Sequence, residues 1–432
     1  MAYPQLTPVE RKTFRLHFIY YAIEGIMLGV LALNEFVFIK SLKGTNFQVG
    51  FLFQFSSLVL VFSIFFNKWI SRIKSKKRLL IWVGIATRGP LLLLLFFPHN
   101  VGELHNNFYH LVFLTIFLIY YFANPIVYPI INLFLKKNYS HANFGRLYSY
   151  STTFNKIIML LVTFCYGVLL DAYDYAYIYV FPVMAVLGII SMYLLSLIDY
   201  DEALIEIPKK KFLSSVRETI SSMQQILKSN KAFRDFESGF MFYGFAFMGT
   251  VGVITIFFEK GLHLNYSSVA FYKNAYNILA ILLLPFFGKL IGRIDPRKFA
   301  IITFASLLFY LIFMCLTEYF PVSTMVSGIK IYWILLISIT FNGVFAATMA
   351  LLWSIGSAYF CSDEEAANYQ SIHLTFTGLR SFFAPLLGVL FYELWGFAAT
   401  FAIGSGFLIT AIVLMMISVK KRKDGLKTKV SI

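Results

Sequence analysis

Charged residues are scarce in this sequence: only 13% of its 432 residues are Asp, Glu, Lys or Arg. Water-soluble domains carry about 25% charged and about 45–50% apolar residues, whereas 59% of this chain is hydrophobic and 19% is aromatic. So little charge leaves too few polar side chains to cover a water-facing surface. The composition therefore excludes a soluble globular protein and predicts a lipid environment.

Cysteine is also rare, and its spacing indicates no site. Cys165, Cys315 and Cys361 lie far apart in the sequence, so neither a disulfide framework nor a cysteine metal site is predicted. We interpret them as small hydrophobic residues. No metal and no cofactor are expected.

Catalytic motifs are missing from the sequence as well. The seven histidines are scattered without His-Glu-x-x-His spacing, and no Gly-rich phosphate-binding loop ends in Lys and Ser or Thr. An enzyme embedded in the membrane needs several reactive side chains at one depth. The sequence therefore argues against an enzyme and against ATP hydrolysis by this chain.

Long apolar runs are what the chain has instead. A bilayer core of about 30 Å is crossed by about 20 apolar residues in helical form. Twelve such spans are predicted, and the first is too long for a cleaved signal peptide. They cover residues 14–38, 47–67, 79–98, 108–134, 147–170, 175–198, 235–258, 267–290, 298–317, 328–355, 367–391 and 395–419.

The cationic residues predict the orientation of the spans. Of the 37 Lys and Arg residues, 29 fall on the side of the membrane that holds both termini, and only Lys40, Lys43, Lys260 and Lys330 fall on the other. Cytoplasmic loops are enriched in Lys and Arg, so both termini are predicted to be cytoplasmic, in an inner or plasma membrane. The formal charge of +16 then reflects topology and contact with lipids, and no nucleic-acid partner is expected.

The chain is predicted to contain a duplicated six-span unit. Four pairs of fragments recur in the same order at offsets of 219 to 225 residues, as a duplication requires. The pairs are Asn46-Phe47 and Asn265-Tyr266, residues 67–77 and 288–298, Ala142-Asn143-Phe144 and Ala367-Asn368-Tyr369, and Gly167-Val168-Leu169 and Gly388-Val389-Leu390.

Four domains follow from this duplication. They are a first bundle at 1–198, a cytoplasmic linker at 199–234, a second bundle at 235–419 and a basic tail at 420–432. Apolar residues recur at helical spacing within the linker, which fits either a helix on the membrane surface or a solvated helix.

The sequence resembles the major facilitator superfamily over almost its whole length. Residues 67–77 and 288–298 look like the two copies of that family's loop pattern, Gly-x-x-x-Asp-Arg-x-Gly-Arg-Arg, with Asn67, Ser71 and Gly292 as departures from it. The antiporter signature of span 5, rich in Gly-Pro, is absent. The resemblance implies an all-α membrane protein of two pseudo-symmetric six-helix bundles around a central cavity, and it leaves the direction of transport open.

The departures imply an altered latch between the cytoplasmic ends of the two halves, since the family's loop Asp helps to hold them together. The candidate latch residues are Arg72, Arg293, Asp363, Glu364 and Glu365. Residues 362–365 read as a capping box at the start of span 11. Two interpretations stay open, namely contact between this acidic turn and the basic loop at 68–78, or an ordinary solvated helix start.

Ionisable side chains inside spans are the candidates for function, because each costs about 2.5–3.5 kcal/mol at a span centre on insertion scales. Glu24 lies near the middle of span 1, Lys156 near the middle of span 5 and Arg380 near the middle of span 11. Lys273 lies nearer the outer end of span 8. Arg88 in span 3 is interpreted as a packing or snorkelling residue.

Several polar neighbours complete the candidate set. Tyr20 lies beside Glu24 on span 1, His373 and Thr377 share the helical face of Arg380, and Gln54 is the counterpart of Lys273 in the first half. By the family's architecture, spans 1, 2, 5, 8 and 11 border the cavity. The resemblance therefore implies that these side chains reach it.

Two functional hypotheses remain at this stage. In the first, Lys156 and Arg380 bind an anionic or zwitterionic small molecule, and Glu24 takes up the proton that drives transport, since burial and a nearby cation shift its protonation in opposite directions. In the second, Glu24 is a structural ion-pair partner of Lys156 or Arg380, and aromatic and apolar walls hold the substrate.

The predicted function is that of a monomeric secondary transporter working by alternating access. Duplicated halves with single-copy buried charges disfavour a channel built from a ring of repeated ligands. An exporter of drugs or lipid-like amphiphiles with the same fold is the alternative.

Overall fold

A computed structural model describes residues 6–59, 73, 75–99, 107–200, 221, 223–291, 293–361 and 366–430. The chain forms two compact units. Unit 1 comprises Met1–Pro208 and Asn265–Ala270, and unit 2 comprises Lys209–Leu264 and Phe271–Ile432.

Unit 1 consists of apolar helices joined by short turns. Two of them begin with capping boxes, at Thr7 with Glu10 and at Thr45 with Gln48, which satisfy the first free N–H groups. The described helices are α1 Pro8–Leu31, α2 Asn34–Lys40, α3 Asn46–Leu58, α4 Lys76–Arg88 followed by a 3₁₀ segment Gly89–Phe96, α5 Asn107–Tyr121, α6 Asn124–Asn138, α7 His141–Ala172 and α8 Tyr177–Ser196.

Unit 2 continues the helical pattern and adds a small hairpin. Strands β1 Ser323–Val326 and β2 Ile329–Tyr332 pair antiparallel between two helices, an element that the sequence did not predict. The helices are α9 Lys231–Ile256 followed by a π turn Phe257–Gly261, α10 Tyr266–Ile291, α11 Pro296–Tyr319, α12 Trp333–Ile355 followed by a 3₁₀ turn Ser357–Phe360, and α13 Ala366–Val430. The first residues of α10 belong to unit 1.

The helices account for the predicted spans. Within the described residues, ten helical segments are long and apolar enough to cross a membrane. The last of them, Ile372–Lys421, contains two predicted spans, because α13 is interrupted at Gly396, where φ is 80°, a value that glycine adopts without strain. Span 2 is described only through Val59. The prediction of a helical membrane protein is confirmed.

Glycine permits the closest helix crossings in each unit. In unit 1, a Cβ atom on Gly25 would lie 2.7 Å from the carbonyl oxygen of Asn155, and α1 therefore packs directly on the backbone of α7. In unit 2, a Cβ atom on Gly388 would overlap the carbonyl group of Gly249, so α13 packs on α9 in the same way. The α1–α7 and α9–α13 pairs form the frame that positions the polar side chains.

Candidate functional site

Glu24 lies near the middle of α1, and within the described residues one side chain donates a hydrogen bond to it. Its carboxylate is half-buried and accepts a hydrogen bond of 3.2 Å from Ser191 Oγ on α8. Arg88 attracts it electrostatically, although no ion pair within 4 Å joins them in the part of the chain that the structure describes. Few donors leave the ionised form of a carboxylate weakly stabilised.

Arg88 has the packing role that the sequence suggested. Its side chain is buried, its guanidinium stacks 3.8 Å from the centre of the Tyr120 ring, and one nitrogen donates to the Tyr120 carbonyl at 2.9 Å. A Cβ atom on Gly188 would lie 2.9 Å from its Cγ atom, so the stem of Arg88 fills the groove over that glycine. Arg88 therefore ties α4, α5 and α8 together.

The remaining unit 1 candidates have different environments. Lys156, at the midpoint of α7, has an exposed side chain and makes no ion pair with Glu24. Tyr20 is buried in the apolar core of unit 1. Gln54 on α3 is buried, and its Oε1 atom has no hydrogen-bond partner among the described residues.

A layer of neutral polar side chains joins α1 to α7. His17 is buried, and its Nδ1 atom lies 3.1 Å from the hydroxyl of Tyr139 and 3.3 Å from that of Ser151. Burial, reinforced by nearby Glu10, raises the pKa of Tyr139, so its hydroxyl stays protonated and shares a hydrogen bond with His17. One turn further along, Asn155 donates to the carbonyl of Tyr21 at 2.7 Å.

Arg380 lies in the corresponding layer of unit 2. Its guanidinium is buried and donates to the carbonyl of Phe240 on α9 at 2.8 Å and to Thr377 Oγ at 3.0 Å. The rings of Phe240 and Tyr243 lie 5.9 Å and 5.6 Å from it, within cation–π range. Its Nε atom has no partner in the described part of the chain.

Sequence reasoning missed the carboxylate beside this arginine. Glu237 on α9 and His373 on α13 are both buried, and His373 Nδ1 lies 3.0 Å and 3.2 Å from the two carboxylate oxygens. Glu237 attracts Arg380 electrostatically. His373 and Arg380 were candidates, but Glu237 falls only two residues inside the predicted start of span 7, where a charge is unremarkable.

The predicted latch is described only in part. Arg72, Asp363, Glu364 and Glu365 lie outside the described residues, and Arg293 is exposed. The buried arginine of the second loop copy is Arg297, whose guanidinium pairs with Asp295 at 2.8 Å and donates to the carbonyl and hydroxyl of Ser418 near the end of α13. The side-chain anchor of this loop within unit 2 is therefore Arg297.

Unit 2 also contains the candidate Lys273 and an apolar cavity. Lys273 is half-buried on α10. The cavity, of about 240 Å³, lies between α9 and both parts of α13. Phenylalanines from these helices line it, among them Phe242, Phe245, Phe391 and Phe407. Among the described residues, no group of three His, Cys, Asp or Glu side chains has the geometry to hold a metal ion.

Comparison with known proteins identifies the family. The model of the Major Facilitator Superfamily matches residues 16–331 and 275–431, and the chain belongs to that family. The protein is therefore a multi-pass membrane transporter for a small molecule, not an enzyme. No curated protein matches the sequence significantly.

Solved structures resemble the fold at low sequence identity. A nucleoside transporter, NupG, is 14% identical with a TM-score of 0.65, and the match covers 96% of this chain and all of the other. A peptide transporter, POT, in complex with sulfate is 13% identical with a TM-score of 0.67, and the match covers 96% of this chain and 94% of the other. A POT family transporter in complex with a thioalcohol-conjugated peptide is 13% identical with a TM-score of 0.64, covering 96% of both chains. These likenesses confirm the fold of two six-helix bundles.

Proposed function

We propose that this protein is a proton-coupled transporter of a small anionic or zwitterionic solute, working by alternating access with both termini in the cytoplasm. The observation that carries the proposal is the state of two ionisable groups in the middle of unit 1 helices. Glu24 has one hydrogen-bond donor, and Lys156 has neither a hydrogen bond nor an ion pair in the described part of the chain.

Glu24 is suited to couple transport to protons because its charge is only weakly stabilised. A buried or half-buried carboxylate is protonated more easily when donors and cations withdraw, and is ionised more easily when they approach. Arg88 is held in place by Tyr120 and Gly188, so movement of α1 relative to α4 changes the field at Glu24. A conformational change of unit 1 would thereby release or bind a proton.

Lys156 is suited to bind an anionic group. A cation at the midpoint of an apolar helix is costly unless it meets a partner or water, and no carboxylate of the described residues pairs with it. A carboxylate or phosphate on the solute would supply that partner. Arg380, the other predicted anion-binding residue, already donates to Phe240 and Thr377 within unit 2.

Transport of an amphiphile is the second candidate, and the cavity in unit 2 favours it. The cavity is lined almost entirely by carbon atoms, and the hydroxyl groups of Thr250 and Thr400 on its wall are bonded to their own helix carbonyls. A hydrophobic molecule would fit such a wall without leaving a buried polar group unpaired. Active efflux of ethidium by liposomes containing the protein would favour this candidate.

The decisive test measures uptake driven by an imposed pH gradient. A thermal-shift screen of dipeptides, nucleosides and monocarboxylates in dodecyl maltoside selects a ligand, and its uptake is then measured in proteoliposomes. We expect Glu24→Gln to abolish proton-driven uptake while leaving exchange of the ligand between the two sides intact. We expect Lys156→Gln to weaken apparent ligand affinity at least about tenfold, the loss of about 1.4 kcal/mol.

Matched controls come from a surface ion pair of unit 1. Lys12 and Asp199 are joined at 2.8 Å with more than half of each side chain exposed, and such pairs contribute about 0–1 kcal/mol. Asp199→Asn and Lys12→Gln change charge by the same amounts and should leave uptake unchanged. Unaltered proton-driven uptake in Glu24→Gln would reject the coupling role of Glu24.

A further inference from the structure

The polar layers of the two units occupy equivalent positions in the duplicated helices. The N-caps of α1 and α9, Thr7 and Asn230, place the second helix 223 residues after the first. The repeated Ala-Asn-aromatic fragment places α13 225 residues after α7. With these offsets, the ring pair His17 and Tyr148 of unit 1 corresponds to the ring pair Phe240 and His373 of unit 2.

Ring contacts confirm this correspondence. The centres of the His17 and Tyr148 rings are 6.0 Å apart, and those of Phe240 and His373 are 4.8 Å apart. Each unit therefore has one histidine in this ring pair. In unit 1 it is His17 on α1, and in unit 2 it is His373 on α13.

The difference between the layers is charge. Arg380 is the equivalent of Asn155, and both donate to a carbonyl of the facing helix. Glu237 is the equivalent of Phe14. Unit 1 thus builds this layer from neutral groups, which shows that the helix pair does not require ionised ones.

Buried charge is expensive where the fold does not need it. Replacing a buried ion pair by apolar groups is often neutral or stabilising, so the residues of unit 1 are the less costly solution. Unit 2 nevertheless carries Glu237, His373 and Arg380 at the same level, each no more than 2% exposed. A functional role that requires one of these side chains to gain or lose a proton would explain why unit 2 keeps this costly cluster.

The geometry of the pair defines where a proton can bind. Ionised Glu237 only accepts hydrogen bonds, so His373 Nδ1 carries the hydrogen in the short contact of 3.0 Å. His373 Nε2 is then the unprotonated nitrogen, and it is buried without a partner in the described part of the chain. His17 Nε2 in unit 1 is also unpaired, but its Nδ1 faces hydroxyl groups, which provide no negative charge to stabilise an imidazolium ion.

We propose that Glu237 and His373 form a second proton-binding site of the transport cycle, in unit 2. A proton from one aqueous phase adds to His373 Nε2 and gives an imidazolium ion whose charge is balanced by Glu237. The same nitrogen releases the proton to the other phase, and no bond other than N–H is made or broken. Arg380 lies beside the pair and is attracted by the Glu237 carboxylate.

Among the residues that the structure describes, few other groups that titrate lie near the site. On α9, the charged or titratable neighbour of the Glu237–His373 pair is Tyr243, which contacts Arg380. On α13, the neighbour is Arg380, and α12 contributes the uncharged ring of Trp353, 6.2 Å from His373. Helix α11 contributes Phe304, which packs on Phe240 and Tyr243. A pH response at this level is therefore attributable to the pair.

This inference rests on the proposed proton coupling, and its test needs no substrate. Spin labels on the two units report the distribution of distances by electron paramagnetic resonance in nanodiscs of phosphatidylethanolamine and phosphatidylglycerol, from pH 5 to pH 9. We expect the distribution to change with pH in the unaltered protein. His373→Gln should abolish that change, and Glu237→Gln should move its midpoint toward acid by about one pH unit or more, because an opposite charge at this distance shifts protonation by that amount.

Asp235→Asn is the matched control, since Asp235 lies two residues before Glu237, accepts a hydrogen bond from Ser418 and pairs with the half-exposed Arg234 at 3.6 Å. It should leave the midpoint unchanged. A midpoint in Glu237→Gln equal to that of the unaltered protein, with the variant still monodisperse, would overturn the inference.

A second measurement separates this site from Glu24. Imidazole nitrogen signals of ¹⁵N-histidine-labelled protein, with His373→Gln used for assignment, should show His373 titrating with the same midpoint as the distance change. A pH response that Glu24→Gln removes but His373→Gln retains leaves the proposed function intact and rejects the second site. A response that neither variant alters rejects both.

Discussion

In each unit, a side chain at the start of one helix is hydrogen-bonded to the start of a second helix: α1 to α7 in unit 1, and α9 to α13 in unit 2. That side chain is an acceptor in unit 1 and a donor in unit 2. In unit 1, the Glu10 carboxylate on α1 accepts hydrogen bonds from the backbone and hydroxyl of Ser140 and from Asn143, at the start of α7. In unit 2, the Asn230 amide before α9 donates to the carbonyl of Phe360 and to the hydroxyl of Tyr369, at the start of α13. Corresponding helices are joined in both units, while the side chain of the first helix accepts in unit 1 and the side chain before it donates in unit 2.

The fold requires small residues at helix crossings, but it does not determine whether buried polar side chains are neutral or charged. Close crossings require small residues wherever two helix backbones touch, and both units have them at Gly25 and at Gly388. Buried polar side chains need hydrogen-bond partners, and either neutral or charged groups can serve as those partners. Charge that appears in only one unit is therefore the place to look for function.

The largest effect is expected at the helix crossing of unit 2. Gly388→Val places a branched side chain against the Gly249 carbonyl, and because both backbones are in contact, α13 must move away from α9. We expect a loss of at least about 3 kcal/mol, the upper part of the range for overpacking, seen as loss of the monodisperse peak in size-exclusion chromatography. Gly406→Val, on the same helix with no atom within 4 Å of the added Cβ, should remain monodisperse. A well-folded Gly388→Val protein would show that this crossing is not a requirement of the fold.

The next largest effect separates the charged layer from the neutral one. Glu237→Leu removes the buried partner of His373 Nδ1 and the carboxylate that attracts Arg380, and removal of one partner of a buried pair costs about 3–5 kcal/mol. His17→Leu in unit 1 removes hydrogen bonds between neutral groups and should cost about 1 kcal/mol. The measurement is the thermal unfolding midpoint of each variant in dodecyl maltoside. Equal losses for the two variants would remove the distinction between the layers.

Several parts of this structure are predictable from the sequence for a physical reason. Span positions follow from the length of apolar runs, because a bilayer needs about 20 residues per crossing. The duplicated fragments predicted equivalent helices, and the equivalence of Asn155 and Arg380 is visible in their hydrogen bonds. Glu24 and Arg380 were found because a charge in the middle of an apolar run stands out.

Other parts depend on contacts that no local pattern reports. Glu237 meets His373 from 136 residues away, and its position near a span end carries no signal. Arg293 was predicted because the loop resemblance points to it, whereas the burial of Arg297 is decided by how α11 packs against α13. The hairpin β1–β2 was missed because its residues adjoin an apolar span and were partly absorbed into it.

A moderate effect is expected where the helix starts are joined. Glu10→Ala leaves three donors from Ser140 and Asn143 without their acceptor, and we expect a loss of about 1–3 kcal/mol, the cost of buried donors left unpaired. Asn230→Ala removes a cap and two weaker neutral bonds and should cost about 1 kcal/mol. Thermal unfolding of the two variants in dodecyl maltoside compares the joins directly. A smaller loss for Glu10→Ala than for Asn230→Ala would reverse the proposed order of strength.

The smallest effect is expected at Tyr139, and it is informative because it should not depend on pH. Tyr139→Phe removes the hydroxyl that is hydrogen-bonded to His17, at a cost of about 1 kcal/mol. Burial raises the pKa of Tyr139 above that of an unfolded tyrosine, about 10, so both states keep the proton below that pH and the contribution is lost only as pH rises through the folded-state value. The difference in unfolding midpoint between Tyr139→Phe and the unaltered protein should therefore be the same at pH 6 and pH 8. A difference that changes over this interval would mean that His17 itself gains or loses a proton there, and the neutral layer of unit 1 would then be a proton site like the one proposed for unit 2.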